Sequence, residues 1–133
     1  VIPIPTKLPG MRRFLETISL RCRRKQWITV FPEAHIWPFY TGIRNFPDTG
    51  FRYPVKLGAP VVAMCTTYRK RRGLFAWIKM PAMTVTFSEP MLPDDSRSPK
   101  EAQRELREKV YKFMVETSAK KENTEYIKYE RRP

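Results

Sequence analysis

Glu33 and His35, a carboxylate and the only imidazole of the chain, stand two residues apart just past the apolar run Trp27-Ile28-Thr29-Val30-Phe31, set off from it by Pro32. Residues that follow the carboxyl end of a buried strand occupy the place where open α/β sheets put their ligand sites. In that position Glu33 reads as a ligand contact and His35 as a direct substrate contact. The plainer roles stay open beside these: Glu33 as a helix cap or an ion-pair partner, His35 as a hydrogen-bonded loop histidine. A dyad of His35 with Asp48 is a further option. Trp37, Phe39 and Tyr40, which follow directly, read as rings that cap the core. Cys22 and Cys65 are isolated and lack any C-x-x-C spacing, so they read as buried free thiols, and no metal site or disulfide is expected.

The elements that must position these groups are legible from periodicity. Leu8, Met11, Leu15, Ile18 and Cys22 repeat at three and four residues, while Arg12, Arg13, Arg21, Arg23 and Arg24 take the other positions. This predicts an amphipathic helix from about Pro9 to Lys25 with a basic outer surface. Trp27–Phe31 and Val61–Cys65 are apolar without alternation, the pattern of strands buried on both faces of a parallel sheet. Between them lie a loop over residues 32–50, dense in Pro, Gly and aromatics, and a short helix over Phe51–Leu57 capped by Gly58. Met83, Val85 and Phe87 alternate with threonines, which predicts a half-buried strand.

Ser98-Pro99-Lys100-Glu101 combines an N-cap serine, a first-turn proline and a capping-box glutamate, and opens a long helix to about Thr117. Its apolar face is Ala102, Leu106, Val110, Phe113 and Met114, with Glu105–Lys109 and Glu108–Lys112 as pairs one turn apart. The order of elements predicts a βαβ series, an α/β fold with a mostly parallel sheet and flanking helices. Residues 1–117 then form one domain, and 118–133 a polar, flexible tail. The strand-like start Val1-Ile2-Pro3-Ile4 reads as the middle of a folded unit, so the chain is expected to be a fragment.

The 133 residues carry 26 Lys and Arg against 13 Asp and Glu, a formal charge of +13. That excess favours an anionic partner: a membrane surface, a phosphate-bearing substrate or nucleic acid. No apolar run approaches the roughly 20 residues that a spanning helix needs. Arg69, Lys70, Arg71 and Arg72 run straight into Leu74, Phe75, Trp77 and Ile78, the composition of an interfacial segment with cations at headgroup level and aromatics below. Arg69, Lys70, Arg71, Arg72, Phe75 and Trp77 are therefore the membrane-facing candidates, with a solvated basic face as the plain alternative.

Three segments resemble, in order and spacing, blocks of the glycerolipid (lysophospholipid) acyltransferase family. Val1-Ile2-Pro3-Ile4-Pro5-Thr6-Lys7 is similar to its G-x-I-F-I-D-R block, Phe31-Pro32-Glu33-Ala34-His35 to F-P-E-G-T-R, and Leu57-Gly58-Ala59-Pro60-Val61-Val62-Ala63 to a G-x-P-V-V strand. Thr6 and Ile36 stand where the family has the two arginines that help hold the acceptor's phosphate, which leaves Lys7 and Arg44 as the substitutes.

The resemblance implies the C-terminal part of an incomplete acyltransferase domain. Pro32, Glu33, Ala34, His35, Thr6, Lys7 and Arg44 would bind the acceptor. It implies acyl transfer from acyl-CoA or acyl carrier protein to the hydroxyl of lysophosphatidic acid, another lysophospholipid or glycerol phosphate, in phospholipid biosynthesis. No cofactor is implied beyond that co-substrate. The expected setting is the cytoplasmic face of an anionic membrane, peripheral or anchored by a segment upstream of Val1, without nucleic acid. The family's base lies in an H-x-x-x-x-D block. Here Tyr40 stands five residues after His35, so the base is expected upstream of Val1 and this chain alone is expected to be inactive. The rival readings are a basic nucleic-acid-binding module and a lipid-binding remnant without catalysis.

Overall fold

The computed structural model describes residues 8–33 and 37–130, so Thr6 and Lys7, the run Ile2–Ile4, and Ala34, His35 and Ile36 lie outside the described residues. The chain divides into two compact units, Val1–Phe31 and Pro32–Pro133.

In the first unit the predicted amphipathic helix forms as α1, Leu8–Arg23. Ile18 of its apolar stripe is buried, and Leu15 and Cys22 are half-buried. The helix ends with Lys25 in the left-handed region at φ 54°, Lys25 N–H donating to the Cys22 carbonyl and Gln26 N–H to the Arg21 carbonyl. That is a Schellman closure with a lysine in glycine's usual place. The following run Trp27–Phe31 is not a strand: it pairs with nothing among the described residues, and Trp27 is 85 % exposed. Aromatic and β-branched side chains favour a pleated surface, but a strand exists only when a neighbour completes its ladder.

The second unit corrects the fold class. Its sheet has two antiparallel strands, β1 (Met64–Arg69) and β2 (Ala82–Phe87), not a mostly parallel set, and no βαβ crossover forms among the described residues. The pairing runs from Met64 opposite Phe87 to Arg69 opposite Ala82. The apolar run Val61–Cys65 suggested a strand buried on both sides, but only its end enters β1. Val61 makes a separate antiparallel bridge with Met91. Ser88 fills the gap between bridge and hairpin, its Oγ accepting from Ala63 N–H at 2.9 Å.

Helix α2, Arg52–Leu57, forms as read and stops at Gly58, whose φ of 57° admits glycine at least strain. Helix α3, Pro99–Lys120, carries the complete capping box of Ser98 and Glu101 and runs one turn past the expected Thr117. Its stripe of Ala102, Leu106, Val110 and Met114 is buried, and Leu106, Val110 and Met114 pack with Phe46, Phe51, Ala63 and Cys65. Leu106 is 1 % exposed and is the largest of the fully buried side chains. Each such side chain contributes about 1.5–3 kcal/mol, so this stripe and not surface charge holds the helix. Glu105 pairs with Lys109 at 2.8 Å as expected, but Glu108 turns to Arg107 at 2.7 Å instead of Lys112, which reaches Glu116.

Antiparallel pairing decides which face of the hairpin is buried. Cys65 and Thr67 of β1 are buried on the side that packs on α3, opposite Thr86 and Thr84. Met64, Met83, Val85 and Phe87 are consequently exposed, the reverse of what their alternation with threonine suggested. The segment after α3, read as a flexible tail, lies along β1: Thr124 N–H donates to the Tyr68 carbonyl at 2.7 Å and Tyr68 N–H to Asn123 Oδ1 at 3.1 Å. Asn123 and Glu122, which accepts from Lys70 N–H at 3.1 Å, stand in for a neighbouring strand. Backbone groups on a strand edge need partners, and a polar segment can supply them. No helix among the described residues is long and apolar enough to cross a membrane.

Two outcomes follow from this packing. Thr67 is fully buried and its hydroxyl has no hydrogen-bond partner among the described residues. Thr67→Val keeps the shape and removes the unpaired group, and is expected to raise the unfolding free energy by about 1 kcal/mol in urea titrations. At the start of α3 the side-chain hydroxyl and backbone N–H of Ser98 hold the Glu101 carboxyl below its ordinary value of 4.5. A lowered folded value contributes stability that is present above the ordinary value and disappears as pH falls through the folded one. Glu101→Gln is therefore expected to be less stable than the parent near neutral pH, with the gap closing as pH falls below the ordinary value of 4.5 in thermal unfolding curves.

Candidate functional site

Glu33 and Arg44 make a charged contact across the mouth of the loop between residues 32 and 46. Glu33 Oε2 accepts from the Arg44 backbone N–H at 3.1 Å and from Arg44 Nε at 3.4 Å, while Arg44 Nη2 donates to the Glu33 carbonyl at 3.1 Å. Both side chains are largely shielded from solvent, at 24 % and 21 % exposure. The guanidinium also lies 4.7 Å from the centre of the Trp37 ring, a cation–π contact that covers its face. An arginine suits this place because its planar fork meets a carboxylate, a carbonyl and a ring at once, which an ammonium cannot.

Around the pair the loop is a scaffold of rings. Trp37 stacks on Tyr129 at 5.0 Å and meets Tyr40 edge-on at 5.1 Å, and Tyr40 meets Tyr129 edge-on at 5.7 Å. The Tyr129 hydroxyl donates to the Pro38 carbonyl at 2.8 Å. Phe39 takes a left-handed backbone, φ 58°, and sets its ring edge-on to Tyr68 at 5.5 Å. Such a conformation costs a non-glycine residue on the order of 1 kcal/mol and persists because its surroundings hold it. Burial, and then the neighbouring Tyr129, push the Tyr68 phenol above its ordinary value, so it remains a neutral ring and donor.

The far end of the loop is tied to α3 and the segment after it. Arg107, buried on α3, donates from Nε to the Phe46 carbonyl at 3.0 Å and from Nη2 to Asn45 Oδ1. Its guanidinium lies 5.0 Å from the Phe46 ring and 4.6 Å from the Tyr111 ring. Ser118 Oγ and Asn123 Nδ2 both donate to the Thr41 carbonyl at 2.9 Å. Gly42 fits because a side chain there would meet the Tyr40 ring and hydroxyl at 2.7–3.1 Å.

Of the residues singled out from sequence, Glu33 and Arg44 are brought together and Pro32 is adjacent. Ala34, His35, Thr6 and Lys7 lie outside the described residues. Trp37, Phe39 and Tyr40 are a surface cluster and not a cap on the core. Asp48, the alternative partner for His35, starts the 3-10 turn Asp48–Phe51 that leads into α2. Sequence reading missed Arg107, Asn123 and Tyr129. A visible signal existed for the first and last: an arginine beside the apolar stripe of α3, and the Tyr126-Ile127 pair with Tyr129 in an end segment that is otherwise mostly polar. Cys65 is buried 3.6 Å from the Met114 carbonyl, and burial, then the Glu33 charge, push its thiol upward, so it stays protonated and unreactive. Among the described residues no group of three His, Cys, Asp or Glu side chains gathers as a metal site would require.

Replacing Arg107 tests whether α3 positions the loop. Arg107→Met leaves the Phe46 carbonyl and Asn45 without their donor, and is expected to cost about 1–3 kcal/mol in urea unfolding. Arg107→Lys is not expected to restore it, because one ammonium cannot reach both acceptors and stack on two rings. No family model matches the chain, and no curated protein or solved structure matches it either.

Proposed function

We propose that this chain supplies the acceptor-binding part of an acyltransferase that moves an acyl group from acyl-CoA or acyl carrier protein to the hydroxyl of lysophosphatidic acid or a related lysophospholipid, in phospholipid biosynthesis. The observation that carries the reading is the Glu33–Arg44 pair. The acyltransferase-like block Phe31-Pro32-Glu33-Ala34-His35 points to Glu33 as an acceptor contact, and Arg44 is the arginine available to replace the one absent at Ile36. Eleven residues separate them in sequence, yet they form one largely shielded, charge-balanced group.

The division of labour follows from the chemistry of the two side chains. The Glu33 carboxylate accepts hydrogen bonds and suits a glycerol hydroxyl, whereas the Arg44 fork suits a phosphate monoester. Arg44 would engage the acceptor's phosphate from the position in which Glu33 and Trp37 already orient it, so little side-chain entropy remains to be lost. In the transfer the acceptor oxygen bonds to the acyl carbon, its proton passes to a base, the C–S bond breaks and the thiolate leaves. These 133 residues contain no H-x-x-x-x-D sequence, so the chain by itself binds acceptor without turning it over. The setting proposed is the cytoplasmic face of a membrane, where the protein is peripheral and its acceptor resides.

Calorimetric titration with a short-chain lysophosphatidate, kept monomeric in solution, tests the assignment. Saturable binding is expected, weakened about tenfold or more by Glu33→Gln and by Arg44→Ala, with Arg44→Lys failing to recover it. Binding that is indifferent to both positions would remove the acceptor site from this loop.

A further inference from the structure

The connection between β1 and β2 stands out from the rest of the surface. It runs from Lys70 to Pro81 and contains two tight turns, with Ala76 N–H donating to the Gly73 carbonyl at 3.0 Å and Ile78 N–H to the Phe75 carbonyl at 3.1 Å. Its base is closed by Arg71, whose Nε donates to the Met80 carbonyl at 3.0 Å, and by Pro81, which is buried. A loop with internal hydrogen bonds and a fixed base has a shape, and this shape turns its large apolar side chains outward. Leu74 is 88 % exposed, Trp77 79 % and Phe75 60 %, and Met80 is exposed beside them. Grouped apolar exposure of this kind marks a surface that meets a partner.

Charge identifies the partner. Between Arg69 and Met80 there are five cations and no carboxylate. Arg69, Lys70, Arg72 and Lys79 are exposed around the base of the apolar tip, and Arg71 is the one turned inward to Met80. Arg72 also meets the exposed Glu122 carboxylate at 3.4 Å, so a protein partner that buried Trp77 and Leu74 would have to match the three other cations at close quarters with fixed carboxylates. An anionic bilayer offers both features in one surface, mobile negative headgroups above and hydrocarbon below. Nucleic acid would use the cations and stack on Trp77 or Phe75, but gains nothing from the aliphatic Leu74 and Met80.

We propose that the β1–β2 connection is a docking element for an anionic membrane, inserting Leu74, Phe75 and Trp77 to the depth of the acyl boundary while Arg69, Lys70, Arg72 and Lys79 sit among the headgroups. This deepens the peripheral setting proposed above and rests on it, but is independent of the acceptor site, since it uses neither Glu33 nor Arg44. Met83, Val85 and Phe87 continue the apolar surface along the solvent side of β2, so the hairpin leans toward the bilayer on that side.

Flotation of the whole chain with phosphatidylcholine vesicles, with and without roughly 30 % phosphatidylglycerol, reads the effect directly. The parent is expected to float only with the anionic vesicles, with a blue shift of tryptophan emission that Trp77→Phe largely removes. Leu74→Ser combined with Trp77→Ser, at positions too exposed to threaten folding, is expected to cut partitioning about tenfold, as is neutralising Arg69, Lys70 and Arg72 to Gln. If the parent floats and the tip variant floats equally well, the docking element is elsewhere while the peripheral setting stands. If the parent does not float, both fall and the acceptor site is untouched. Retention on duplex DNA that depends on the cations alone, or a dimer in sedimentation that is abolished by Trp77→Ser, would overturn the proposal in favour of those partners.

Discussion

The apolar stripe of α3 is the surface against which the unit from Pro32 onward is assembled. Ala102, Leu106, Val110 and Met114 repeat at four residues, and the hairpin, α2 and the end of the aromatic loop all meet this helix or its flanks. A two-stranded sheet has marginal stability alone, and a six-residue helix such as α2 has less. Both exist here because a 22-residue helix with a complete capping box offers them an apolar face to bury. The same helix carries Arg107 and Ser118, so the element that holds the core also ties down the loop of the candidate site.

The described part of that loop has almost no regular structure, and several of its backbone carbonyls take donors from side chains elsewhere. The Phe46 and Thr41 carbonyls are taken by side chains from α3 and from the segment after it, and the Pro38 carbonyl by Tyr129. Side-chain donors replace a ladder. The Glu33–Arg44 pair ties together a loop whose far end is also fastened to α3 and to the segment after it.

The hairpin shows the opposite economy, with one face fully used and the other unclaimed. Cys65 and Thr67 are buried toward α3, and because strand side chains alternate, this alone turns Met83, Val85 and Phe87 of the paired strand outward. The apolar outer face and the cationic connection beyond it belong to one continuous stretch of chain, from Arg69 to Phe87. Grouping apolar and cationic side chains in this way costs solubility unless a surface of matching chemistry is available.

Local patterns in the chain were sufficient for α1, α2 with its Gly58 cap, the Ser98–Glu101 start of α3 and the period-two strand at Met83–Phe87. Their signals are local, a 3.6 repeat, a left-handed cap, the Ser98–Glu101 capping box and a period of two, although α2 and the strand persist only with α3 and β1 beside them. The proximity of Glu33 to a cation was legible only as a list of candidates, because nothing local says which of 26 basic residues folds back across eleven positions. Trp27–Phe31 and Val61–Cys65 misled for a related reason. An apolar run states that burial would be favourable, but strand formation, direction and facing are properties of a pair, decided by whichever neighbour completes the hydrogen bonds. Composition and spacing thus determined the helices, their caps and the basic, aromatic connection. Pairing and packing decided the antiparallel sheet, the outward face of β2, the binding of residues 122–126 along β1 and the meeting of Glu33 with Arg44, because each of these depends on long-range partners that no local window contains.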